Sequence, residues 1–577
     1  MQEYAIAILE QARREARTAP HELLVRLGAA REAVGEREAA IEAYEQLYYE
    51  FPLTAEAADA QAALARLRAR APAAVGRAAR ELSRAEQLFT ARRWAPAREA
   101  FATLALVFTG EDRALVGLRV AECDYYLKQM RAARTALQPY LNGGTRAAEA
   151  RFFDLTATRA LGDRATYVSL ARALAVDHPD SRWTEETLNN LASHFVSDDD
   201  EEADRVFREL ATRFPRGRYA ERAAWKIGWQ AYKKRQFTDT AVTFEAAAAT
   251  FPRSDYRSSW LYWAARARDR LSQPPAAAAL YRVVGGDYLH SYYGRLASRA
   301  LAARREAPVR PVVVTARVET GAPVVANEAV IQALASVELY DQALQEVDYA
   351  RRAWGDSSAL QATTAWIRFK RAQQGPAADR FADLRGAITI MRRAYPQFMA
   401  AGGEQLPDDI LRIIFPLDYW PLIKQYSDLY GFDPYLMTAL IAQESTFTAD
   451  VRSSANAVGL MQLIPPTARR YAAKLGIRYS SGILTQPETN ISLGMRYFKD
   501  LMDRFKGAHF ALASYNAGEG RIARWIVERP GFEQDEFIDD IPFPETQNYV
   551  KRILGTADDY RRLYGERPLT PPLRTAE

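Results

Sequence analysis

One carboxylate in the last third of the chain stands where carboxylates are seldom placed. Asp433 followed by Pro434 predicts a helix start, because aspartate accepts hydrogen bonds from the first free amides and proline is tolerated at the first helical position. On the helix that follows, Met437, Leu440, Ile441 and Glu444 fall at i, i+3, i+4 and i+7, so Glu444 lies in line with an apolar face. Burial disfavours the charged form of a carboxyl group, so Glu444 is expected to keep its proton near neutral pH and to serve as a general acid. Cleavage of a glycosidic bond needs that property. On periodicity alone, a glutamate reaching solvent from the helix end is the more ordinary account.

The text around Glu444 changes that weighting. Gln443-Glu444-Ser445, Ser453, Gly459-Leu460-Met461-Gln462-Leu463-Ile464-Pro465, Ser514-Tyr515-Asn516-Ala517-Gly518 and Ile541-Pro542-Phe543-Pro544-Glu545-Thr546 follow one another in this order. Each alone is a weak signal, but together, at these intervals, they resemble the soluble lytic murein transglycosylases over about residues 416–564. The resemblance implies a lysozyme-like α fold with Glu444 as its single acid and base. In that family the glutamate protonates the oxygen between N-acetylmuramic acid and N-acetylglucosamine, then accepts the proton of the muramyl 6-hydroxyl as a 1,6-anhydro ring closes. No water is consumed, and the second carboxylate of ordinary glycosidases is not needed.

The resemblance also assigns a substrate-binding set. Ser453 matches a serine near the N-acetyl group, Tyr515 a tyrosine that orients the reacting region, and Glu545 a glutamate on the groove wall. Met461 and Tyr549 are expected to line the cleft, with core packing as the close competitor. Gln462 and Asn516 can offer amide hydrogen bonds to sugar hydroxyls or satisfy nearby backbone groups. Asp450 and Glu488 are read as surface or capping groups. Two departures bear on sugar contact: Asn456-Ala457 stands where the family has Gly-Ala, and Ile464 where a second methionine is common. Asparagine tolerates the left-handed backbone that glycine would adopt.

Other chemistries lack their residues. There is no His-Glu-x-x-His, no Cys-x-x-Cys, no phosphate-cradling glycine loop, and only 5 histidines in 577 residues, so neither metal nor cofactor is expected. Lys and Arg number 77 against 72 Asp and Glu, a net charge of +5, too small to argue for nucleic acid. Cys123, the one cysteine, has no partner for an internal disulfide and reads as a buried core thiol. No stretch approaches the ~20 apolar residues that span a bilayer. The start, Met1-Gln2-Glu3-Tyr4, lacks the pattern of a secretory signal. A periplasmic location, inferred from the substrate, would then require a mature or trimmed sequence.

The elements that must position these residues read as helices throughout. Residues 1–302 carry apolar positions at three- and four-residue spacing and a recurring punctuation: His178-Pro179, Phe214-Pro215 and Phe251-Pro252, at steps of 36 and 37 residues, with a looser copy at Phe51-Pro52. Such a period indicates an α-solenoid of tetratricopeptide-like helix pairs, each stacking on the next to bury its apolar face. Ser291-Tyr292-Tyr293-Gly294-Arg295-Leu296-Ala297 resembles the same family's repeat region. Trp225, Trp229 and Tyr232 read as solenoid core in preference to sugar platforms. Pro308, Pro311 and Val312-Val313-Val314 mark a connector, and Gly402-Gly403 with Pro407 a boundary near 405.

The expected organisation is therefore all-α: a superhelical repeat domain (1–302), a connector and helical linker (303–404) and a lysozyme-like catalytic domain (405–577). The expected partners are peptidoglycan glycan strands, with cell-wall proteins on the repeats. Two readings compete with a lytic transglycosylase. One is a goose-type-lysozyme-like muramidase using water as nucleophile, and the other is a non-catalytic scaffold holding glycan or protein.

Overall fold

The computed structural model describes residues 2–15, 19–68, 76–196, 199–305, 326–374, 380–399 and 406–565. The connector residues Pro308, Pro311, Val312–Val314 and Thr320–Pro323, and the glycine pair Gly402 and Gly403, lie outside them. Among the described residues the chain is helical, and its β-type pairing is confined to two isolated bridges, Arg452 with Val458 and Val458 with Leu463. The packing forms two compact units, Met1–Gln230 and Ala231–Glu577. The boundaries drawn from the sequence at 302 and 404 fall inside the second unit.

In the first unit the punctuation works as its chemistry dictates. The helices Arg164–Asp177 and Asp200–Arg213 end at His178 and Phe214, whose backbones leave the helical region at φ −130° and −126°. The proline that follows has no amide to donate and disfavours helical geometry in the residue before it. Ser181 then opens the helix Arg182–Phe195, its hydroxyl accepting from the Trp183 amide at 3.2 Å. Contacts from one repeat to the next recur near the sequence period. Arg213 donates to the carbonyls of Ala175 (2.7 Å) and Pro179 (2.9 Å), 38 and 34 positions back, and Tyr219 donates to Glu186, 33 back. Leu155, Tyr167, Leu174, Leu188, Leu191, Phe207, Leu210 and Ile227 form one apolar core running through successive helix pairs. A helix pair has one apolar face on each side, and stacking covers both.

Trp225 and Trp229 are buried with stacked rings 5.7 Å apart, so they are core and not an exposed platform. Cys123 is also buried, and burial pushes its thiol up to about 12.

Among its described residues the second unit holds four further repeat helices, Phe237–Thr250, Arg257–Arg270, Pro274–Asp287 and Tyr292–Ala303, four linker helices between Glu328 and Ala394, and the helices that carry the chemistry. The latter include Pro434–Ser445, Pro487–Phe505, Ala508–Ala517, the short Gln534–Asp539 and the long final helix Pro544–Tyr564. The Pro434–Ser445 helix packs on the final helix, which also meets Ala508–Ala517 and Tyr292–Ala303.

Candidate active site

Asp433 caps the Pro434–Ser445 helix by accepting from the Tyr435 amide at 3.0 Å, with Pro434 at the first position. Met437, Leu440 and Ile441 are fully buried, so the apolar line ending at Glu444 is real. The helix stops at Ser445, one residue after Glu444. Thr446 and Phe447 take left-handed backbones, φ 49° and 58°, a conformation that disfavours side chains carrying a Cβ. Phe447 is fully buried, and its packing holds the turn in place.

Glu444 itself is half-buried, and its carboxyl pKa is raised to about 7. Burial is the cause, opposed by a hydrogen bond from the Tyr549 hydroxyl to Oε1. Among the described residues no second carboxylate and no cation contributes to that shift. The Tyr515 and Tyr549 hydroxyls are raised well above the usual phenol range, first by their own burial and then by the charge on Glu444.

Beside it, Val458 and Leu463 exchange backbone hydrogen bonds of 3.1 Å and close a loop over Gly459–Gln462. Side chains clamp this loop from two helices. Asn490 accepts from the Met461 amide (2.7 Å) and donates to the carbonyls of Val458 (3.0 Å) and Leu484 (2.8 Å), while the Tyr515 hydroxyl donates to the Met461 carbonyl at 2.7 Å. Gly459 has φ 84°, and a Cβ there would sit 2.2 Å from the Leu484 carbonyl oxygen. A Cβ on Gly494 would meet the Met461 sulfur at 2.4 Å.

The residues expected from the sequence divide into groups. Glu444, Tyr549, Tyr515 and Met461 come together, with Met461 and Tyr549 buried and Tyr515 half-buried. The Gln462 amide nitrogen donates to Gly459 (2.8 Å) and Val451 (3.2 Å) carbonyls, and Ser453 accepts from the Ala457 amide at 3.0 Å. Both side chains thus bond local backbone groups, the alternative considered for Gln462. Asn516, exposed, accepts from the Thr546 hydroxyl at 2.7 Å, and Glu545 is exposed in the first turn of the final helix. Asn456 adopts φ 63°, the geometry glycine would have supplied. Asp450 and Glu488 are exposed.

Asn490 and Gly494 were not foreseen. A signal existed: Asn490-Ile491-Ser492-Leu493-Gly494 puts an amide and a glycine four apart within an otherwise apolar helical stretch, where a buried asparagine must have a job. A separate cavity of about 630 Å³ lies among the linker helices, lined by residues including Arg351, Arg371, Asp341 and Asp356. Two of its arginines are paired, Arg351 with Asp348 and Asp356, and Arg371 with Asp341 and Asp383. It is not the site of Glu444.

Fold and site together define a helix-repeat chain ending in a lysozyme-like α domain with one proton-holding glutamate. Residues 421–538 match the transglycosylase SLT domain. The soluble lytic murein transglycosylase of Escherichia coli (strain K12) is 37% identical over 164 residues, which cover 28% of this chain and 25% of that protein. The endo-type membrane-bound lytic murein transglycosylase A of Enterobacter sp. (strain 638) is 31% identical over 166 residues, 25% of this chain and 81% of that protein. The crystal structure of the 70 kDa soluble lytic transglycosylase from Escherichia coli shares the fold with a TM-score of 0.63, at 20% identity, over 98% of this chain and 87% of that one. An inactive mutant of lytic transglycosylase Slt from Pseudomonas aeruginosa gives 0.62 at 20% identity, over 98% and 86%. This chain belongs to the lytic murein transglycosylase family. Its sequence match to the Escherichia coli member spans about a quarter of that protein's length.

Proposed function

We propose that the second unit is a peptidoglycan lytic transglycosylase acting on the β-1,4 bond from N-acetylmuramic acid to N-acetylglucosamine. Glu444 donates its proton to the glycosidic oxygen as the bond to the muramyl C1 breaks. The muramyl 6-hydroxyl oxygen then bonds to C1 and returns its proton to the carboxylate, leaving a 1,6-anhydro end and a restored acid. One observation carries the reading: a lone, half-buried glutamate whose pKa is raised to about 7 can both give and take a proton near neutral pH.

Tyr549 steadies Glu444, and Tyr515 fixes the Met461 loop against which the sugar sits. Ser453, Gln462, Asn516 and Glu545 contact the sugars along the groove. The substrate places the protein in the periplasm, with glycan strands as its partner and cell-wall proteins as occupants of the repeats. Residues 1–302, 303–404 and 405–577 remain the proposed functional division. Digestion of purified sacculi followed by mass spectrometry tests the assignment. Anhydro-muropeptides are expected; products about 18 Da heavier, one water, would make the enzyme a muramidase. Glu444→Gln should lower glycan release roughly a thousandfold, the scale of lost general acid and base catalysis. Unchanged release would remove Glu444 from the chemistry, and no release from either protein would leave only a binding scaffold.

A further inference from the structure

The Ser291–Ala297 stretch resembled the family without an evident purpose, and its neighbours supply one. Ser291 caps the Tyr292–Ala303 helix, accepting from the Gly294 amide at 3.0 Å, and the next turns press against the final helix. The Tyr293 hydroxyl donates to Asp539 Oδ1 at 2.7 Å, the Trp263 indole donates to Oδ2 at 2.7 Å, and Lys551 of the final helix pairs with the same carboxylate. Lys551 also donates to the Tyr293 hydroxyl at 2.8 Å. Asp539 is fully buried, so three donors on three helices replace its water. Eight positions along the final helix, Asp559 pairs with Arg295, and its Oδ1 lies 2.7 Å from His290 Nδ1.

The final helix is thus held on two faces. Tyr549, Val550, Ile553, Ala557 and Tyr560 are its buried apolar face, and the Pro434–Ser445 helix packs on it. Lys551, Gly555 and Asp559 turn roughly the other way at 100° per residue, and at Gly555 the backbone of Tyr292 comes into van der Waals range. Anchors at 551 and 559 stand about 12 Å apart along the axis, which fixes both rotation and slide of the helix. A hydrogen bond tolerates only a few tenths of an ångström.

We infer that the Tyr292–Ala303 helix is a positioning element for the catalytic carboxylate, because its anchors on Asp539, Lys551 and Asp559 set the register that puts the Tyr549 hydroxyl on Glu444. This rests on the proposed role of Glu444. Tyr293, Lys551, Arg295 and Asp559 never touch Glu444 and act through the final helix. The titratable groups facing Glu444 are Tyr549 on the final helix and Tyr515 on Ala508–Ala517, with Tyr497 on Pro487–Phe505 behind them. The Tyr549 bond favours the charged carboxylate, so loosening it should raise the Glu444 pKa further.

The test is a ¹³C-carboxyl NMR titration of the full chain labelled at glutamate, with Glu444 assigned by its loss in Glu444→Gln. Tyr293→Phe and Lys551→Met should move the Glu444 midpoint upward by about half a unit to one unit, the size of one weakened hydrogen bond. Arg270→Ala, which breaks a 2.6 Å pair with Glu533 at the same interface but does not touch the final helix, should leave it in place. A midpoint unchanged in Tyr293→Phe, whose ring still fills its site, overturns the inference even if thermal stability falls. The titration needs no substrate, so it is decided independently of the sacculus digestion that tests the function itself.

Discussion

At the scale of single residues, the chemistry depends on one proton. Burial holds Glu444 near 7, where the free side chain titrates at 4.5. Activity that needs the acid form should persist below about pH 7 and fall as pH rises through it; a pH–rate profile of glycan release checks this. Replacing Tyr549 by Phe removes the bond that favours the charged form, so the alkaline limb should move upward while the rate drops about tenfold, one hydrogen bond's worth. Stability responds with a definite sign. Between pH 4.5 and 7 the folded state binds the proton that the unfolded chain has released, so stability falls across that window and levels off above it. Glu444→Gln should therefore be more stable than the unaltered protein at pH 8, by about 2 kcal/mol after allowance for partial exposure, and no more stable below pH 4.5. Urea denaturation at the two pH values measures the difference.

At the scale of elements, the Met461 loop is held by side chains because it has little regular backbone pairing of its own. Asn490 satisfies one amide and two carbonyls there, so Asn490→Ala should destabilise the protein by about 2–4 kcal/mol by denaturant unfolding, the cost of stranding buried polar groups. The two glycines should rank differently. Gly459→Ala needs a left-handed backbone and drives a methyl into the Leu484 carbonyl, which cannot move aside. Gly494→Ala meets the flexible Met461 side chain and should lose less stability, while shifting Met461 and weakening glycan release. Thermal midpoints and release rates of the two variants give the order.

At the scale of the whole molecule, the catalytic helices are not an isolated lysozyme-like body. Tyr262 donates to the buried Asp535 at 2.6 Å, Arg266 pairs with Asp535 at 3.0 Å, and Trp263 and Tyr293 close around Asp539. A chain of residues 405–577 loses all of these partners, whereas one of 231–577 keeps them. With four or more buried hydrogen bonds at about 1 kcal/mol each, the shorter chain should melt roughly 10 °C or more below the longer one by circular dichroism. Equal midpoints would mean that these contacts add nothing to the catalytic segment.

Much of this was legible in the sequence because its determinants are local. The Asp433 cap, the helix stops at His178 and Phe214, and the apolar line ending at Glu444 each depend on residues within a turn or two of one another. The ordered motifs named the family for the same reason. The rest was decided by packing. Tyr549 reaches Glu444 from 105 positions away, and whether its hydroxyl points at the carboxylate depends on a helix whose register is set by Tyr293 and Lys551. Asn490, Asp539 and Asp559 read as ordinary polar residues on amphipathic helices until the fold buries them. The elevated pKa is likewise tertiary: periodicity placed Glu444 on an apolar line, but only its neighbours in space determine how much water it loses and which hydroxyl replaces that water.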